Sequence, residues 1–258
     1  MKHNVNSLVG YTISATDGEL GRVNEFYFDD KTWSIRYMVV DTGGWLSGRR
    51  VLIPHSALGL TDWETKTFKV NLTMEQVRNA PDVDTQKTVT RQHEIDLFSH
   101  YGLPVYWGDI FIDGTIGMVP LPEVGEIKID DGALKVPDKP KGDQHLRSTM
   151  SVKGYDIAAN DGEIGHVEDY LGDDNDWNIC FLIIDTNNWL PGRKVLVSPH
   201  WINRIDWSEQ KVFVNLSKEL IKNSPEFDPS KHTGIDYEKD LLNYYEEAIK
   251  ILKKESAK

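Results

Sequence analysis

Two loops of the chain pair a carboxylate, an indole and a guanidinium at the same spacing: Asp41, Trp45 and Arg49, and again Asp185, Trp189 and Arg193. An indole beside an Arg fork suits a carboxylate, a phosphate or a peptide, because the planar guanidinium donates two parallel hydrogen bonds to such groups. The same residue types also make a loop tied back on itself, with an Asp–Arg pair and the Trp as its lid, and that structural reading is the expectation. His55 and His200 lie near the ends of the following strands, each next to a Pro, and either is a candidate ligand or proton carrier. No Cys, Ser or carboxylate partner stands near them at a telling spacing, so a loop histidine without chemistry is the simpler expectation. His93, Asp96 and His100 share one helical face and have zinc-type donors, but the second copy of the pattern has Tyr237, Asp240 and Tyr244 there. Asp174-Asn175-Asp176 starts like a calcium loop, yet Ile179 stands where the sharp turn needs Gly. No P-loop, dinucleotide fingerprint, Gly-x-Ser-x-Gly elbow or His-Glu-x-x-His occurs. The expectation is a protein that is not an enzyme, with no catalytic, cofactor or metal residues. The six residues of the Trp/Arg loops and the two histidines stand as candidate interaction or ligand positions.

The elements that must position these loops come in two copies. Asp17-Gly18-Glu19-Leu20-Gly21 recurs as Asp161-Gly162-Glu163-Ile164-Gly165, Trp45-Leu46 as Trp189-Leu190, and Asp62-Trp63 as Asp206-Trp207, each at an offset of 144. Residues 7–81 paired with 151–225 give 30 identities in 75 positions without a gap, which is duplication. Glu94, Leu97 and Tyr101 recur as Glu238, Leu241 and Tyr245, so each unit includes a helical tail. The units are residues 1–102 and 145–258. The connector, 103–144, holds six Gly and five Pro, with short β-like runs at 110–112 and 127–129 that suit an arm docked on a unit.

Within a unit, short runs rich in aromatic and branched residues alternate with turn residues: 10–13, then Asp17-Gly18, then 20–28, 34–41, 50–53 and 67–71. Five or six short strands in about 65 residues predict a small closed barrel, because closure hides edges that so few strands would expose. Thr73 with Gln76 has the spacing of a capping box, and Ser217 is the matching cap. The last helix, about 236–254, places Tyr237, Leu241, Tyr244, Ala248 and Leu252 on one face. In one strand the copies differ: Ile35-Arg36-Tyr37 becomes Ile179-Cys180-Phe181, a continuous apolar run of six residues. That run predicts that the second unit is the more deeply covered.

The Gly10-Tyr11 strand, Asp17-Gly18-Glu19-x-Gly21-x-Val23, the strand from Arg36 to Asp41 and the Val51 to Pro54 strand together resemble the PRC-barrel family, as found in the cytoplasmic domain of the photosynthetic reaction centre H subunit and the C-terminal domain of a ribosome maturation factor. The resemblance spans about 7–72 and 151–216, and the whole is similar to tandem PRC-barrel proteins. It implies a mainly β chain of two small barrels, each followed by short α-helices. It also implies an adaptor surface with no shared catalytic residues, whose partner is another protein or a second copy. Assistance to the ribosome or RNA processing through protein contacts is the alternative, and a small-ligand or metal-dependent enzyme is a third.

Charge narrows the choice. With 29 Lys and Arg against 41 Asp and Glu, the chain carries −12, and nucleic acid or anionic membrane would need clustered cations instead. The longest apolar run, six residues, is far short of the roughly 20 that span a bilayer. The opening residues have no secretory h-region, and the single Cys180 cannot form an internal disulfide. A cytoplasmic location is the expectation.

Overall fold

The computed structural model describes residues 2–46, 48–81, 89, 91–103, 145–186, 193–228 and 235–255. The 110–112 and 127–129 runs of the connector lie outside the described residues. The fold is mainly β, in two sheets of matching topology with short helices after each.

The strands of the first unit are β1 (Lys2–Asn4), β2 (Thr12–Ser14), β3 (Glu19–Asp29), β4 (Ile35–Asp41), β5 (Arg50–Pro54), β6 (Leu58–Asp62) and β7 (Thr67–Val70). Those of the second are β8 (Leu146–Ser148), β9 (Asp156–Ala159), β10 (Gly162–Asp173), β11 (Ile179–Asp185), β12 (Lys194–Val197), β13 (Ile202–Asp206) and β14 (Lys211–Val214). The first sheet runs β5-β4-β3-β2-β7-β6 and the second β12-β11-β10-β9-β14-β13. Register shifts at Val23/Glu25 and Tyr27/Phe28 bend the long β3, as bulges do. Gly21 is required at that bend: at φ 142°, a Cβ there would sit 2.0 Å from the Asp41 carbonyl oxygen, so any side chain would push β3 off β4.

The sheets curl without closing. Among the described residues no ladder joins β5 to β6, the two ends of the path. The chain passes between them through a three-residue 3-10 turn, His55–Ala57, after Pro54, which has no N–H to give to a ladder. The edge is covered by helix α2 (Arg91–Tyr101), whose Tyr101 hydroxyl donates to the Leu52 carbonyl at 3.3 Å.

The short helix α1 (Met74–Arg78) opens on the full capping box of Thr73 and Gln76. Asp17 adds to it by accepting the Met74 N–H at 2.7 Å, so the Asp-Gly motif also ties the first hairpin to this helix. In the second unit, after the one-turn α3 (Thr149–Val152), the helix α4 (Lys218–Lys222) is capped by Ser217 and by Asp161, which accepts the Lys218 N–H at 2.8 Å. The last helix, α5, spans Ile235–Glu255, with Leu241 and Tyr245 fully buried.

The two units exchange their leading strands. β1 pairs with β10 of the second unit, Lys2 opposite Asp173, and β8 pairs with β3 of the first, Leu146 opposite Asp29. Each sheet of seven strands is therefore completed by the other half of the chain. The buried apolar residues of both halves form one continuous core.

Candidate functional site

Arg49 and Arg193, the cations of the paired loops, point at helix ends. Arg49 donates to the Arg78 carbonyl at 3.3 Å and to the Ala80 carbonyl. Arg193 donates to the Ser224 carbonyl. These carbonyls lie at or just past the C-terminal ends of α1 and α4, where a cation also meets the negative end of the helix. Asp41 accepts the Gly43 N–H at 2.9 Å within its own turn. The loop is closed at its neck by Thr42, whose hydroxyl donates to the Arg49 carbonyl at 2.6 Å, and Thr186 does the same to Arg193 at 2.7 Å. Arg49 and Arg193 thus work for the ends of neighbouring helices, and Asp41 for its own turn. The side chain of Trp45 and the whole of Trp189 lie outside the described residues.

His55 sits half-buried in the turn between β5 and β6, where burial holds its imidazole below the ordinary value and therefore neutral near pH 7. His200 is on the second unit's 3-10 turn, its Nδ1 3.1 Å from the Ser198 hydroxyl. The one-residue slip from the repeat places Pro199 where His55 stands, so the two histidines are not equivalent. His100 lies with Nε2 2.6 Å from the Gln76 carbonyl and so joins α2 to α1, Asp96 is exposed, and the His93 side chain is outside the described residues.

Arg36 and Cys180 correct one expectation. The first unit buries this position more than the second does: Arg36 is 2% exposed while Cys180 is only half-buried. Arg36 is tolerated in the interior because it is paired on both sides, donating to Asp29 at 3.2 Å and to the fully buried Glu94 of α2, which also accepts the Tyr37 hydroxyl at 2.6 Å. Glu238, the counterpart of Glu94, finds its cation elsewhere. Lys2 of the exchanged strand reaches it. Position 2 and position 36 have traded the charge, because their counterparts are the buried Leu146 and Cys180. Burial raises the Cys180 thiol, which leaves little thiolate to react.

A cleft of about 1030 Å³ lies between β11, β13 and α5 of the second unit and the turn at 30–34 of the first. Cys180, Leu242, Trp207, Arg147, Arg204 and His200 contribute to its walls, with Asp30, Lys31 and Trp33 across from them. Arg147 of β8 lies over the Trp207 ring at 4.0 Å, and both Arg147 and His145 are paired to Asp30, at 3.0 and 2.8 Å. Among the described candidate positions, His200 alone lines this cleft. The sequence signal for it was the Arg36/Cys180 difference, but its walls come from segments about 30, 60 and 175 residues apart, which no local spacing brings together.

Residues 2–76 match the family model described as PRC-barrel domain. The first unit is a PRC-barrel domain. The match stops where α1 is nearly complete, so the PRC-barrel domain proper comprises the seven strands of the N-terminal half and leaves α2 outside it. The second sheet repeats the strand order of this PRC-barrel domain, element for element. None of the curated proteins matches the chain. Among the described residues no helix is long and apolar enough to cross a membrane.

Proposed function

We propose that the protein is a non-catalytic adaptor of the cytoplasm that binds a protein partner or a second copy of itself. The exchange of β1 and β8 carries this reading. Two PRC-type sheets that each need a strand from the other cannot swing apart, so they present one fixed surface, and a fixed surface binds without an ordering cost. The side chains with chemical potential are spent on holding elements in place: Arg49 and Arg193 on helix ends, and Glu94 and Arg36 on each other. A net charge of −12 directs the surface toward proteins rather than nucleic acid or anionic lipid.

Size-exclusion chromatography of the purified chain, with affinity capture from the source cells at physiological salt, tests the reading. A defined partner or a stable dimer is the expected result. A strict monomer that recovers no partner overturns it.

A further inference from the structure

The two exchanged strands are fastened by the same three-part contact. His3 of β1 stacks on the Trp63 ring, with centroids 3.7 Å apart and planes at 27°, and its Nε2 lies 3.4 Å from the Asp174 carboxylate. At the matching positions Arg147 of β8 lies over the Trp207 ring at 4.0 Å and donates to Asp30 at 3.0 Å. His3 and Arg147, Trp63 and Trp207, and Asp30 and Asp174 are each related by the offset of 144. In both contacts the indole comes from the same half of the chain as the strand, and the carboxylate from the other half, so each contact crosses the junction. The supports match as well, with Tyr11 edge-on to Trp63 at 5.9 Å and Tyr155 edge-on to Trp207 at 6.0 Å. One member differs in kind. A guanidinium keeps its charge at every pH the folded chain meets, whereas an imidazole gains or loses its charge between about pH 5 and 8.

We propose that His3 is a pH-sensitive clasp on β1: as an imidazolium it holds the strand across the junction as Arg147 holds β8, and as a neutral ring it gives up part of that hold. The clasp is a property of the fold, whatever the chain binds. The charge acts twice, on the indole face and on Asp174, and with 13% of the His3 side chain exposed both effects are screened less than those of a surface pair. Ring stacking survives deprotonation, so the hold weakens rather than vanishes. The other charged groups near the ring are Asp173 at the end of β10, Lys2 of β1, the α-amino group, and Asp62 beside Trp63. Burial works against the Asp173 charge, but hydrogen bonds from Asn175 and the charges of the α-amino group and Lys2 outweigh it and hold that carboxyl below its ordinary value. Lys2 is engaged by Glu238, and Asp62 accepts the Glu64 and Thr65 N–H groups of its own turn, each at 3.0 Å. Thr61, Ile35 and Trp177, which close the rest of the pocket, carry no charge.

Hydrogen exchange of the full chain, corrected for intrinsic rates, reads the hold as the protection of residues 2–8 at pH 5.5 and at pH 8. Every chain carries Asp169→Asn, because Asp169 also bonds the exchanged segment through Asn6 and titrates at about 6. Protection of 2–8 falls about three- to tenfold between the two pH values, while that of 146–152 in the same molecules holds steady. His3→Arg keeps the acid-side protection at both pH values, and His3→Gln has the lower protection at both. Arg147→His carries the same pH dependence over to 146–152. Equal protection of 2–8 at the two pH values overturns the proposal. So does a fall that persists undiminished in His3→Arg and His3→Gln, because the α-amino group, which titrates near 8 and is common to all these chains, then accounts for it. Should the His3 variants fail to fold, the chain that keeps His3 decides alone, and a fall shared equally by 2–8 and 146–152 overturns the clasp.

Discussion

The Trp33 carbonyl accepts the Ile179 N–H at 2.7 Å, and the Trp177 carbonyl, 144 residues on, accepts the Ile35 N–H at 2.7 Å. Both tryptophans sit at positive φ, 59° and 57°, a region that costs a bulky L residue about 1–2 kcal/mol. The cost is offset twice. The left-handed turn aims each carbonyl across the junction, and it drops each indole into the core, with 8% and 9% exposure.

Trp177 goes further than its twin, because its ring packs against Phe26 and Phe68 of the first unit, with centroids 6.2 and 5.6 Å apart. It is a plug supplied by one half to the core of the other. Trp177→Ala is expected to lower unfolding stability by roughly 3–5 kcal/mol and to do so in a single transition, since the halves share one core. Urea denaturation followed by far-UV circular dichroism measures this. A loss below about 1 kcal/mol, or two separated transitions, would show that the halves fold independently of the plug.

Arg36 and Glu94 make a sharper test of the buried charge. Arg36→Ala leaves Glu94 buried without its cation and is expected to cost about 3–5 kcal/mol. The double variant Arg36→Ala with Glu94→Ala should cost clearly less than the sum of the singles, because the second change removes the orphaned charge. Lys2→Ala in the other unit should cost less, about 1 kcal/mol, since the Lys2 and Glu238 side chains keep 19% and 14% exposure and water can take over. Additive effects in the Arg36 cycle would refute the pairing as the reason for burial.

The fold was legible from the repeat, because an offset of 144 applied to turn and strand residues leaves one unit to interpret rather than two. Thr73 and Ser217 were visible as caps for a local reason: a cap and the N–H groups it binds lie within three residues. The strand exchange was not visible. β1 and β8 are three residues long, carry no strong alternation, and choose between two almost identical sheets, so nothing near them in sequence states which sheet they join. What Arg49 and Arg193 tie to was hidden for the same reason. Their partners are backbone carbonyls about 30 residues away, and a carbonyl has no signature in a sequence. The difference between Arg36 and Cys180 was visible, but an Arg within an apolar strand does not state that a buried carboxylate on α2 waits for it.

If Arg49 is a helix-end tie, its loss is felt in stability and not in ligand response. Arg49→Ala is expected to cost about 1–2 kcal/mol. Arg49→Lys should recover part of it, because an ammonium meets one carbonyl where the fork meets those of both Arg78 and Ala80. Thermal unfolding with and without millimolar phosphate or succinate separates the roles. An anion that raises the midpoint of the wild type but not of Arg49→Ala would return Arg49 to the ligand-binding candidates.

Asp169 supplies a pH dependence with a definite sign. It sits on β10, where it accepts the Asn6 N–H of the exchanged segment at 3.0 Å and the Tyr170 N–H at 2.7 Å. Burial outweighs these bonds and the nearby Lys153, and lifts its carboxyl from 3.8 to about 6. The folded chain therefore holds this proton at pH values where the unfolded chain has lost it. Between about pH 4 and pH 6 the native state binds more protons, so this group's contribution to stability falls as the pH rises and its penalty is complete above about 6. Asp169→Asn keeps an oxygen for both N–H donors and removes the charge. It is expected to stabilise the protein at pH 7 by roughly 1–3 kcal/mol and to have no advantage at pH 4, so the two stability profiles converge on acidification. Thermal melts from pH 4 to pH 7 measure the difference. Parallel profiles across that window would mean that Asp169 ionises in the folded protein as it does in the open chain, and that the contact between β10 and the exchanged segment is wet.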